Sequence, residues 1–114
     1  MKANTTYISL GSNLSPQEDN MLKAISAIRE IASITNISKL YTTKPLIWPG
    51  KEHLPHSNYL NAVTRCRTDL SPQDLMKKLL LIETSLGRIR TPDTRWEPRS
   101  IDLDVIFYND IVLD

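Results

Sequence analysis

Cysteine, glycine and phenylalanine are scarce in this sequence, and no sign of charge dominates it. Its 114 residues hold one cysteine, three glycines and one phenylalanine, with a formal net charge of +1. A lone Cys66 has no partner for an internal disulfide, which points to a reducing cytoplasm. Near-neutrality removes the main reason to expect a general nucleic-acid binder. No apolar run approaches the ~18 residues of a membrane span. The opening residues, Met1 to Thr6, lack the apolar core of a secretion signal. What is present is ordinary for a globular chain, 40% hydrophobic and 24% charged. The length favours one domain over residues 1–114.

The hydrophobic pattern changes period along the chain. Tyr7 to Leu10 reads as a short buried strand that stops at a turn, Gly11-Ser12-Asn13. Ser15-Pro16-Gln17-Glu18 carries a helix start, with Ser15 as cap and Pro16 at the first helical position. Met21, Leu22, Ile25, Ile28 and Ala32 follow at helical spacing, so residues 16 to 34 form one helix packed on a sheet. Ile37 to Thr42 reads as a second strand. Residues 43 to 57 hold three prolines and a glycine without periodicity, a loop long enough to carry function.

From Asn58 to Arg67 the pattern is a strand again. Tyr59, Asn61, Val63 and Arg65 fall on one face, Leu60, Ala62, Thr64 and Cys66 on the other. Ser71-Pro72-Gln73-Asp74 repeats the helix start, Leu75, Met76, Leu79, Ile82, Glu83 and Leu86 continue it, and Gly87 is its natural stop. A second loop, 88 to 100, precedes a strand from Ile101 to Tyr108. The order β-α-β-β-α-β predicts an α+β, ferredoxin-like fold, an antiparallel sheet with packed helices.

The chemistry concentrates in "RWEPRSIDLDV", residues 95 to 105. Asp102 and Asp104 share one strand face, with Cα atoms roughly 6.6 Å apart. Two carboxylates at that spacing can flank one cation or hold a pair, and hard oxygen ligands suit Mg²⁺ shared with substrate phosphates. Arg88, Arg90, Arg95 and Arg99 offer planar, permanently charged forks for phosphate oxygens. Asp-x-Asp alone is more often a solvated face, and an arginine-rich loop can be a solvated loop; on these residues both readings stand. Gly11-Ser12-Asn13 lacks the Gly-x-x-x-x-Gly-Lys-Ser/Thr pattern of a phosphate loop. His53 and His56 have no cysteine or carboxylate cluster around them in sequence. Trp48 and Trp96 each lie in a long loop, as lid or as anchor. Tyr59 and Asn61 are placed to stack on and hydrogen-bond a flat heterocycle, or to pack under a covering loop.

Taken together these residues resemble the 6-hydroxymethyl-7,8-dihydropterin pyrophosphokinase family. The resemblance runs from residue 7 to the end. Its pieces are Gly11-Ser12-Asn13-Leu14, Tyr41-x-Thr43-x-Pro45-Leu46, Tyr59-Leu60-Asn61-Ala62-Val63, Ile82-Glu83-x-x-Leu86-Gly87-Arg88-x-Arg90 and Arg95-Trp96-x-Pro98-Arg99-x-Ile101-Asp102-Leu103-Asp104. It implies transfer of pyrophosphate from ATP to the pterin hydroxymethyl group, releasing AMP. It also implies two Mg²⁺ ions on Asp102 and Asp104, with Arg88 and Arg99 stabilising charge during transfer. Glu83, Arg88, Arg90, Trp96 and Arg99 would hold ATP. Thr43, Pro45, Leu46, Tyr59 and Asn61 would hold the pterin. A monomer in the cytoplasm, bound to neither membrane nor nucleic acid, completes the expectation.

Two departures accompany the resemblance. Glu97 stands where members of the family have glycine, and the family's chains continue past the Asp-x-Asp strand with a Pro-His segment, an arginine and an aromatic. Both favour, as an alternative, a non-catalytic module that binds Mg-ATP or pterin; the intact Asp102, Asp104, Arg88 and Arg99 favour the enzyme. An RNA-binding domain of the same fold would need a basic-aromatic stripe on its central strands, and residues 58 to 67 offer one aromatic.

Overall fold

The computed structural model describes residues 4–13, 16–44, 49–50, 58–87 and 101–112, the last two without their side chains. Strand β1 (Asn4–Ser12) leads into helix α1 (Gln17–Arg29), then β2 (Ser33–Ile37), β3 (Tyr41–Thr43) and β4 (Tyr59–Thr68). Helix α2 (Pro72–Ser85), β5 (Asp102–Tyr108) and β6 (Ile111–Val112) complete the order. One six-stranded sheet runs β2-β4-β1-β5-β6, with β3 also on β4, and every pairing is antiparallel. With β2 and β3 counted as one stretch, the spatial order of the four expected strands is 2-3-1-4, the ferredoxin-like arrangement.

Alternation decides which face is covered. Along β4, Ala62, Thr64, Cys66 and Thr68 are buried, whereas Tyr59, Asn61, Val63 and Arg65 are half-buried or exposed. Ile8 and Leu10 of β1 and Leu103 and Val105 of β5 join the buried face. Both helices pack there, α1 through Met21, Ala24 and Ile28, α2 through Leu75, Leu79, Ile82 and Glu83. Leu22 and Met76, each next to a core residue, point outward at 65% and 49% exposure, so the apolar stripe of each helix is narrower than the sequence pattern. The opposite face of the sheet carries no helix among the described residues.

Local chemistry explains most boundaries. Ser71 caps α2, its hydroxyl accepting from the Asp74 N–H at 3.2 Å. Gly87, at φ 99°, ends that helix in a conformation glycine adopts without strain. At α1, Pro16 is the cap, with an extended ψ of 109°, and the helix starts at Gln17, one residue later than expected. That helix also ends at Arg29 rather than residue 34; Ala32 is buried from the turn that follows. The expected strand Ile37 to Thr42 is two strands, both paired to β4. Asn36 and Ile37 lie opposite Arg65 and Thr64, Tyr41 and Thr43 opposite Asn61 and Tyr59.

Candidate active site

The open face of β1, β4 and β5 carries four of the sequence-predicted residues, Tyr59, Asn61, Asp102 and Asp104. Gly11 of β1 lies opposite Asn61 of β4 on one side and opposite Asp102 of β5 on the other. One pair further along, Ser9 lies between Val63 and Asp104. Neighbouring strands are about 4.8 Å apart, so Asn61 and Asp102 face each other across roughly 10 Å of sheet. Asp102 is half-buried and Asp104 exposed, on the same face of β5.

Gly11 has an extended backbone, so its missing side chain matters for space and not for φ. A Cβ there would stand 3.2 Å from Asn61 Oδ1 and 3.3 Å from the Tyr59 ring. The expected turn at Gly11-Ser12-Asn13 is therefore corrected: Gly11 and Ser12 are strand residues, and the glycine makes a floor over which Tyr59 and Asn61 lie. No local pattern marks such a glycine; only the strand pairing shows what crosses it. The end of β1 is held by Gln17, whose Nε2 donates to the carbonyls of Ser12 at 2.8 Å and Asn58 at 2.7 Å.

Asn61 is oriented by its neighbours. Its Nδ2 donates to Thr43 Oγ1 at 2.9 Å, to the Tyr59 carbonyl at 3.2 Å and to the Tyr41 carbonyl at 3.3 Å. The amide nitrogen is thus committed to β3 and its own strand, and the amide oxygen is directed over Gly11. An acceptor beside an aromatic ring is what a flat heterocycle bearing N–H groups requires.

Glu83 is placed differently from the rest. It is 1% exposed, beneath β5, and its Oε2 accepts from the Leu103 N–H at 2.6 Å. Its partner is the residue between the two aspartates. Cys66, wholly buried, is the small core residue its strand position suggested, and burial pushes its thiol pKa up while a hydrogen bond to Thr64 pulls it part of the way back.

Arg88, Arg90, Trp96 and Arg99, and also Pro45 and Leu46, lie outside the described residues, as do Trp48, His53, His56, Arg95 and Glu97. Among the described residues no group of three or more His, Cys, Asp or Glu could hold a metal. Two same-face carboxylates nonetheless fit Mg²⁺, which takes one or two carboxylates together with phosphate oxygens and water. A shallow groove of about 410 Å³, lined by Tyr7, Asn36, Ile37, Ser38, Val63 and Arg65, opens on the same face, and neither aspartate lines it. No helix among the described residues is long and apolar enough to cross a membrane.

Comparison with known proteins finds one family. The sequence model described as 7,8-dihydro-6-hydroxymethylpterin-pyrophosphokinase matches residues 7–113. Proteins named 2-amino-4-hydroxy-6-hydroxymethyldihydropteridine pyrophosphokinase are similar over almost the whole chain. That of Aquifex aeolicus is 38% identical over 109 residues, 96% of this chain and 64% of the relative. That of Haemophilus influenzae is 36% identical over 111 residues, 96% of this chain and 65% of the relative. One from Pseudomonas putida is 36% identical, with 95% of this chain and 85% of the relative covered. The chain thus spans a little under two thirds of the length of the Aquifex and Haemophilus proteins. With the match running through both the Tyr59–Asn61 strand and the Asp102–Asp104 strand, the chain belongs to the 7,8-dihydro-6-hydroxymethylpterin-pyrophosphokinase family.

Proposed function

We propose that this chain transfers the terminal pyrophosphoryl group of ATP to the hydroxymethyl oxygen of 6-hydroxymethyl-7,8-dihydropterin, releasing AMP, as a step of folate biosynthesis. The observation that carries the reading is the register that sets Asn61 and Asp102 on either side of Gly11. It gives a heterocycle site and an anionic site on one face, about two strand spacings apart, with a glycine on the strand between them.

In this reading the pterin stacks on Tyr59, its N–H groups donating to Asn61 Oδ1. Thr43, Pro45 and Leu46 border its edge, and Thr43 also fixes the amide through Nδ2. Asp102 and Asp104 would hold two Mg²⁺ ions with the triphosphate, and the metal supplies neutralisation of charge on the phosphate oxygens. Arg88 and Arg99 stabilise charge as the hydroxymethyl oxygen attacks the β-phosphorus. The bond from that phosphorus to the α,β-bridging oxygen breaks, AMP leaves, and the hydroxyl proton is lost. Arg90 and Trp96 hold the nucleotide and exclude water, and Glu83 belongs to the nucleotide side of the site. Transfer of this kind relies on positioning and electrostatic stabilisation more than on covalent help from the protein. A buried, free Cys66 suits a reducing compartment.

The products test the proposal. Chromatography and mass spectrometry should show AMP and a pterin that has gained a diphosphate, in equal amounts. ADP with a monophosphorylated pterin would assign attack to the γ-phosphorus and contradict it.

A further inference from the structure

We propose that Glu83 is a positioning residue: it sets the edge of β5 through the Leu103 N–H and so holds Asp102 and Asp104 at a fixed spacing. The inference rests on the metal–nucleotide reading of those two aspartates and adds to it a part that direct nucleotide contact does not describe.

Glu83 is an awkward residue where it stands. It is 1% exposed, and a buried carboxyl group must recover its lost hydration from hydrogen bonds. It also lies in the last turn of α2, where the helix dipole disfavours an acid, and that turn contains no basic residue to offset it. Helix formation and core packing would both be served better by an apolar residue on the stripe of Leu75, Leu79 and Ile82. One compensation in the structure is the 2.6 Å bond from Leu103 N–H to Glu83 Oε2, buried at both ends.

That bond occupies a particular gap. Amide directions alternate along an antiparallel strand, and Leu103 N–H turns to Glu83, so the amides of Asp102 and Asp104 turn to β1. On the outer edge β6 pairs with Phe107 and Tyr108. Among the described residues no strand lies against that edge at Leu103, where the carboxylate of α2 accepts from the main chain instead. It clamps the one residue that separates the two aspartates, from the covered side of the sheet, while their side chains emerge on the open side. Coordination of Mg²⁺ tolerates little departure from octahedral geometry, and a site must be held within ~0.5 Å to work. An unclamped edge strand does not meet that requirement.

The test uses Glu83→Gln, which keeps an acceptor, and Glu83→Leu, which fills the space without one. Mn²⁺ with α,β-methylene-ATP is titrated calorimetrically, 6-hydroxymethylpterin is titrated separately, and Leu103 amide exchange is followed by NMR. Glu83→Leu should speed Leu103 exchange and weaken Mn²⁺–nucleotide binding, each by about ten-fold or more, with pterin affinity held within about two-fold. Glu83→Gln should restore both losses. If Glu83→Leu keeps metal–nucleotide affinity, or loses pterin affinity in parallel, the positioning role is overturned. If Glu83→Gln loses nucleotide affinity with the Leu103 amide still protected, the carboxylate meets the nucleotide directly and the proposal is likewise overturned. Where Glu83→Leu does not fold, free exchange of the Leu103 amide in the unaltered chain overturns it. Asp104→Ala separates the two claims: if it too leaves Mn²⁺–nucleotide affinity intact, the metal reading itself fails. Loss in Asp104→Ala beside retention in Glu83→Leu removes only the positioning role.

Discussion

Asn61 and Asp102 are opposite the same residue, Gly11, on the two sides of β1. Any side chain at that position would stand between the amide and the carboxylate. Three strands distant in sequence thus contribute one acceptor, one glycine and one acid to a single line across the sheet.

Gly11→Ala should weaken pterin binding selectively. The added Cβ presses on the Asn61 oxygen and the Tyr59 ring, and displacing packed groups by a few tenths of an ångström costs about 1 kcal/mol, a loss of roughly five-fold. Fluorescence titration with pterin measures it. Unchanged pterin affinity, or an equal loss of nucleotide affinity, contradicts the role given to Gly11.

Asn61→Ala removes the amide that ties β4 to β3 as well as the acceptor over Gly11. Urea unfolding should show a loss of about 1 kcal/mol, since these bonds are partly exposed. Pterin affinity should fall further than stability alone explains. Asn61→Asp keeps the oxygen but loses the donor to Thr43, so it should not restore binding.

Asp102→Ala and Asp104→Ala should abolish Mg²⁺-dependent use of ATP and leave the fold intact. Two like charges on one face repel, and relieving that on a partly exposed strand face changes stability by less than ~1 kcal/mol. Normal turnover by either variant would show the metal assignment to be wrong.

Cys66 gives a pH dependence with a defined sign. Burial raises the folded thiol pKa above its ordinary value, with Thr64 opposing. The contribution is fully present below the unfolded-chain value of ~8.5 and is lost as pH rises towards the higher folded value. Urea midpoints of the wild type and Cys66→Ala should therefore differ by a constant amount from pH 6 to 8 and converge above about pH 9. A constant difference throughout would contradict the buried-thiol account.

The residues that spoke clearly in the sequence are those whose neighbours are local or whose face is buried. Ser71, Pro72 and Gly87 mark α2 because capping acts within a turn, and β4 shows its alternation because one face meets the helices. The stretch from Ser33 to Thr43 carried no such signal. Its residues are exposed apart from the half-buried Ile34, and pairing to β4 makes two strands of it by main-chain bonds that periodicity does not record. Gly11 and Glu83 were legible as members of a motif and not in what they do. Gly11 is defined by Tyr59 and Asn61, some 50 residues away in sequence, and Glu83 by a main-chain amide 20 residues away. Neither partner leaves a mark on the local pattern.

In the proposed reaction one open sheet face serves the pterin and the nucleotide together. AMP release from Mg-ATP by this 114-residue chain, with and without 6-hydroxymethyl-7,8-dihydropterin, tests it most directly. AMP should form when the pterin is present and not when it is absent. No AMP from folded protein supplied with both substrates, or AMP at the same rate without pterin, would contradict it.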